Sequence, residues 1–140
     1  MKTSTVLPPA PKWLLIDADG QSLGRLSAQV AMLLRGKHRP GFSPHQLCGD
    51  QVIVINAAKL SFHPTKLHRK VYNRHTGFQG NLKTMSFKEL MEKDPSQVIE
   101  KAVKGMLPPN RLRIQMLKRL RVYVDDKHDH EAQNPVPFPL

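Results

Sequence analysis

The 140-residue chain carries 22 Lys and Arg against 11 Asp and Glu, a formal net charge of +11, with 39% hydrophobic residues and twelve prolines. That length suits one domain, and the charge predicts attraction to a polyanion, either nucleic acid or an anionic membrane surface. A single cysteine, Cys48, excludes an intrachain disulfide framework and any zinc site built on several thiolates.

In chain order, "MKTSTVLPPAPKW" has neither the apolar core of a signal peptide nor the Arg-rich pattern of a transit peptide. No apolar run is long enough to span a bilayer. The expectation is a soluble intracellular protein whose residues 1–12, with Pro8, Pro9 and Pro11, form an extended arm. "WLLID", Trp13 to Asp17, reads as a buried strand and "DADGQ" as the turn after it. Ser22 is placed to cap a helix from Leu23 to about Arg35. On that helix Leu23, Leu26, Val30, Leu33 and Leu34 share one face, and Gly36 suits a left-handed end. A strand, a turn and a helix in this order open a β-α-β unit.

"GKHRPGFSPHQLCGD" reads as a loop. Val52 to Ile55 is continuously apolar and β-branched, as a strand buried on both faces would be. The basic stretch "SFHPTKLHRKVYNRHTGFQGNLK" is broken by Gly and Pro. It predicts one short strand near Arg69 to Asn73 inside a long exposed loop. Ser86 and Glu89 form a capping box ahead of one helix. Asp94 caps the next, with Pro95 at its first position; Val98, Ile99, Ala102, Val103 and Met106 form its apolar face, and Pro108 and Pro109 end it.

"NRLRIQMLKRLRV" predicts a further helix that docks one stripe and offers the other to an anion. Leu112, Met116, Leu117 and Leu120 span an arc of about 140° at ~100° per residue, with Arg111 and Lys118 opposite and Arg119 and Arg121 at the flanks. Arg113 alone projects into the apolar arc. "VYV" reads as a last strand and residues 126–140 as an extended tail, leaving one domain over residues 13–125.

Charge is segregated along the chain. From Gly20 to Lys88 the only acidic residue is Asp50, whereas generic solubilising charge mixes both signs. Basic residues mark three places: Arg35 to Arg39, Lys66 to Lys83, and Arg111 to Arg121. The middle one combines Lys66, Arg69, Lys70, Arg74 and Lys83 with His68, His75, Tyr72 and Phe78. Cations neutralise phosphates and release counterions, and rings stack on splayed bases. Gly77 and Gly80 permit close backbone approach.

Sharper chemistry is weakly supported. "HDH", with His128 and His130, lacks the converging ligands of a metal site. Gly20 and Gly24 match neither phosphate-binding fingerprint. Cys48 has no evident His and Asn partners, and Asp17, Asp19 and Asp50 are too scattered for paired-carboxylate catalysis. No enzyme, cofactor, metal or small-molecule substrate is expected.

The ordered set of short motifs is specific where each alone is not. "LGRLS" at Leu23 to Ser27, "LLRGKHRP" at Leu33 to Pro40, "GD" with "VIVINAAK" from Gly49 to Lys59, "HTG" at His75 to Gly77, "VKGMLP" at Val103 to Pro108, "LRVY" at Leu120 to Tyr123 and "HDHEAQNP" at His128 to Pro135 cover nearly the whole chain. Together they resemble the bacterial-type large-subunit ribosomal protein thirteen family.

The resemblance implies an α/β fold: a three-layer single domain with a four-stranded, mostly parallel sheet flanked by helices, plus extended termini. It also implies binding to large-subunit ribosomal RNA, neighbouring large-subunit ribosomal proteins as partners, a part in subunit assembly, and no catalysis. The location implied is the ribosome, in a bacterial cytoplasm or an organelle that makes its own ribosomes. The alternative is a free-standing RNA-binding regulator.

Carried onto this chain, the motifs point to Lys37, His38 and Arg39, to His75 and Gly77, and to Lys104 and Gly105. With the basic residues singled out above, the expected RNA contacts are Arg25, Arg35, Lys37, His38, Arg39, Lys66, Arg69, Lys70, Arg74, His75, Gly77, Lys83, Lys104, Gly105, Arg111, Arg113, Lys118, Arg119 and Arg121. The chain departs from the family pattern at Pro109, Asn110 and Arg113, where a lysine and glycines are usual, at Asn81 in a paired-glycine position, and at Val124 and Asp125 after the last strand.

Overall fold

A computed structural model describes residues 7–139; residues 1–6 of the expected arm, and Leu140, lie outside the described residues. The main sheet has four strands, β1 (Trp13–Asp17), β2 (Gln51–Ile55), β5 (Leu120–Val122) and β6 (Val136–Pro137), in the order β5-β2-β1-β6, all parallel. In register, Leu14 lies beside Val52 and Ile16 beside Val54, and Val52 and Val54 pair in turn with Leu120 and Val122. Alternation therefore puts these residues on one face and Leu15, Ile53 and Arg121 on the other.

Helix α1 (Leu23–Arg35) crosses from β1 to β2. The chain between β2 and β5 contains α2 (Pro64–Arg69), α3 (Phe87–Lys93), α4 (Pro95–Met106) and α5 (Leu112–Leu117). Right-handed crossovers place α1 and the later helices on the same face. There Leu26, Leu33, Leu34, Phe87 and Ile99 are fully or almost fully buried with Ile16, Val52 and Val54. The return from β5 to β6 runs in the opposite direction across the sheet, so the same rule places it on the other face. Ile53 is buried on that face, where the Trp13 ring meets His130 at 5.0 Å and Tyr123 meets both His128 and His130. Helices, sheet and C-terminal segment make three layers.

The α/β architecture and its parallel four-stranded sheet agree with expectation, as do α1, the capping box at α3 and the Asp94-capped, Pro-led α4. Four expectations change in the structure. The "long exposed loop" is α2 followed by an antiparallel hairpin, β3 (Val71–His75) and β4 (Leu82–Ser86). His63 begins α2 by accepting the Thr65 N–H on its ring, and Gly77 and Gly80 turn the hairpin with φ of +96° and +72°.

The basic helix ends at Leu117, because β2 captures the residues beyond it: the Val52 N–H donates to the Arg119 carbonyl and the Tyr123 N–H to that of Val54. The strand near "VYV" is consequently Leu120–Val122. Ser22 occupies the position before α1 without capping it by its side chain; its backbone bridges to Ser61 instead. The segment beyond Asp125, expected as an extended tail, supplies β6, whose neighbour Phe138 donates its N–H to Leu15.

Candidate nucleic-acid interface

The basic side chains divide by what already holds them. Asp50 is 1% exposed. It accepts the Lys12 N–H at 2.7 Å, lies 2.7 Å from His38 Nε2, and pairs with the Arg39 guanidinium. Arg39 also donates to the Pro9 and Ala10 carbonyls. His38 and Arg39 thus tie the N-terminal segment to the sheet. Arg119 donates to the Gly49 carbonyl, Arg121 to the carbonyls of Lys118 and Leu120, and Arg113 Nε to that of Pro108 at 2.9 Å. Arg113 therefore folds back over its own turn, away from the apolar stripe. That turn is secured by Asn110, whose side chain accepts the Arg113 N–H at 3.0 Å.

The remaining cations are more open. Arg25, Lys37, Lys66, Arg69, Arg74, His75, Lys83, Lys104, Arg111 and Lys118 are exposed. Arg35 is half-buried, its guanidinium 5.5 Å from the Phe42 ring. Lys70 is half-buried over the Tyr72 and Phe87 rings, at 5.2 and 5.6 Å. Burial draws its ammonium below the ordinary lysine value and pushes the Tyr72 phenol up. Tyr72 is stacked on Phe87, so its ring is not open for a base. Phe78, at the hairpin turn, is 75% exposed. Gly77 donates its N–H to His75 Nδ1 at 3.0 Å. A Cβ on Gly105 would meet nothing within 4 Å.

Helix α4 connects these places. One depression joins Arg35 and Lys37 to Met106 and Leu107 at its end; another, with Glu100 at its edge, joins Lys101 and Lys104 to Leu117 and Leu120. On its other flank a groove of about 560 Å³ runs between the hairpin and α3–α4, bringing Arg74 and Lys83 to Lys93 and Lys101. Lys93 and Lys101 escaped the sequence reading because Glu89, Glu92 and Glu100 surround them in the chain, which made that stretch read as balanced. Their signal was available as helical phase.

Residues 11–129 match the family model described as Ribosomal protein L13. The chain belongs to the ribosomal protein L13 family. Relatives named large ribosomal subunit protein uL13 include one from Alkalilimnicola ehrlichii, 47% identical over the full length of both chains. Another, from Clostridioides difficile, is 51% identical over 89% of this chain and 87% of its own. One from a Synechococcus strain is 52% identical over 94% of this chain and 87% of its own. Membership in the L13 family makes this a bacterial-type ribosomal protein of the large subunit. Among the described residues no helix is long and apolar enough to cross a membrane.

Proposed function

We propose that the chain is a non-catalytic, structural constituent of the large subunit that binds large-subunit ribosomal RNA, contacts neighbouring large-subunit proteins, and supports subunit assembly and so translation. Its place is the ribosome in the cytoplasm. The α/β body, completed by the β6 segment, is a rigid platform, and the proline-rich segment ahead of β1 lies along the particle.

The observation that carries the reading is the connected run of exposed cations along the hairpin and α4, unpaired by carboxylates. Among the described residues the ion pairs are His38–Asp50, Arg39–Asp50 and Lys88–Glu92; none uses Lys66, Arg69, Arg74, Lys83, Lys101 or Lys104. Gly105 adds support. A glycine inside a helix costs about 1 kcal/mol relative to alanine, and no packing among the described residues requires it, whereas close approach of a phosphate backbone would. Arg25, Lys37, Lys66, Arg69, Arg74, His75, Gly77, Lys83, Lys104, Gly105, Arg111 and Lys118 are the proposed contacts. Arg35, Lys70 and Arg121 contribute at the margins, and His38, Arg39, Arg113 and Arg119 act through the loops they brace.

Two measurements test this. Large subunits isolated from the source cells and washed at moderate salt are expected to retain one copy per particle; a free-standing regulator would be shed. Binding of the purified protein to large-subunit ribosomal RNA is expected to weaken steeply with salt. About six phosphate contacts give a slope of log K against log salt near −4 or steeper. A shallow slope, or loss at the wash, overturns the proposal.

A further inference from the structure

We propose that the groove between the β3–β4 hairpin and helices α3–α4 is a track for an RNA backbone. Arg74 and Lys83 on one wall and Lys93 and Lys101 on the other hold neighbouring phosphates. This deepens the reading above and rests on it.

The hairpin wall is electrostatically unfinished. Arg74 lies directly opposite Lys83 in the antiparallel register, and both line the groove. Like charges facing each other across a strand pair destabilise it. Among the described residues no acidic side chain lines the groove to relieve them. The helical wall repeats the pattern. Lys88, elsewhere on α3, lies 3.9 Å from Glu92, but Lys93 and Lys101 form no ion pair among the described residues.

The wall is also stiff. The Lys101 ammonium sits 5.0 Å from the centre of the Tyr72 ring, a cation–π contact that fixes where its charge points. Tyr72 in turn lies on Phe87, which is fully buried. A cation held before the ligand arrives loses less side-chain freedom on binding. Two facing walls of one sign match a chain of regularly spaced negative charges.

The test compares full-length variants on large-subunit ribosomal RNA across a salt series. Each phosphate contact contributes roughly 0.7–0.9 to the slope. The pair Lys93→Gln with Lys101→Gln is therefore expected to lower the slope by about 1.4–1.8, and Arg74→Gln with Lys83→Gln similarly. Lys59→Gln with Lys127→Gln removes the same charge away from the groove and is expected to leave the slope unchanged.

If the groove pairs keep the wild-type slope while wild-type protein binds steeply, the groove assignment falls and the RNA-binding reading stands. If wild-type protein shows no saturable binding, both fall. A second measurement needs no variant. In intact large subunits, Lys93 and Lys101 are expected to resist amine acetylation until ribonuclease is added, while Lys59 stays reactive throughout. Protection that survives ribonuclease points to a protein occupant and overturns the proposal.

Discussion

A Cβ placed on Gly49 would lie 1.8 Å from the Leu34 carbonyl oxygen and 2.3 Å from its carbon. Both are backbone atoms at the end of α1 and cannot rotate away. The loop crosses the helix there so closely that the Asp50 N–H reaches the Leu33 carbonyl. Gly49→Ala is expected to destabilise the fold by about 1–3 kcal/mol, the usual cost of forced overpacking, read as a lower urea midpoint. The next residue carries the opposite kind of constraint. Asp50 is a buried carboxylate balanced by His38, Arg39 and one backbone N–H. Asp50→Ala leaves those partners unmatched, at an expected cost of about 3 kcal/mol. The same variant is expected to free the N-terminal segment, seen as faster amide exchange at Lys12. Asp50 was visible in the sequence as the lone acid in a basic stretch, but its role was not, because its partners come from Lys12 and from the loop after α1.

At the scale of elements, α4 is legible from its ends. Asp94 accepts the N–H groups of Ser96 and Gln97, and Pro95 needs no donor at the first position. The Ser96 hydroxyl, the Gln97 side chain and those N–H groups hold the Asp94 carboxyl below its ordinary value of 3.8 against an opposing effect of burial. A carboxyl with a depressed folded value stabilises the fold above its unfolded value and loses that contribution as pH falls through the folded one. Asp94→Ala is therefore expected to cost about 1 kcal/mol near neutral pH. That difference is expected to shrink below pH 3.8, and paired denaturant titrations across the acid range measure it. Elements with weaker local signals were misjudged. The hairpin alternates Tyr72 and Arg74 with Lys83 and Met85 on one face, but the charged members hide the period. Helix α5 stops early although its leucine spacing continues to Leu120, because strand pairing with β2 outweighs helical propensity over three residues.

For the whole molecule, segregation of charge in the sequence became a connected run in space only after folding. Arg35 and Lys37 come from the end of α1, Arg74 and Lys83 from the hairpin, and Lys101 and Lys104 from α4; the depressions along α4 join them. The basic excess, the β-α-β opening, the caps of α3 and α4 and the ordered family motifs are local properties. They can be read along the chain, and the ordered motifs were enough for the family and, through that resemblance, for the fold class. Which cations remain free is a different kind of fact. Arg39 and Arg119 look in the chain like Arg69 and Arg74, yet the first two spend their donors on Asp50 and Gly49 while the others face solvent. Lys93 and Lys101 look neutralised by their neighbours in sequence, yet they line a groove with no acid in it among the described residues. Hydrogen bonds and ion pairs are satisfied by whatever lies within about 3 Å in space, and only the tertiary structure decides what that is.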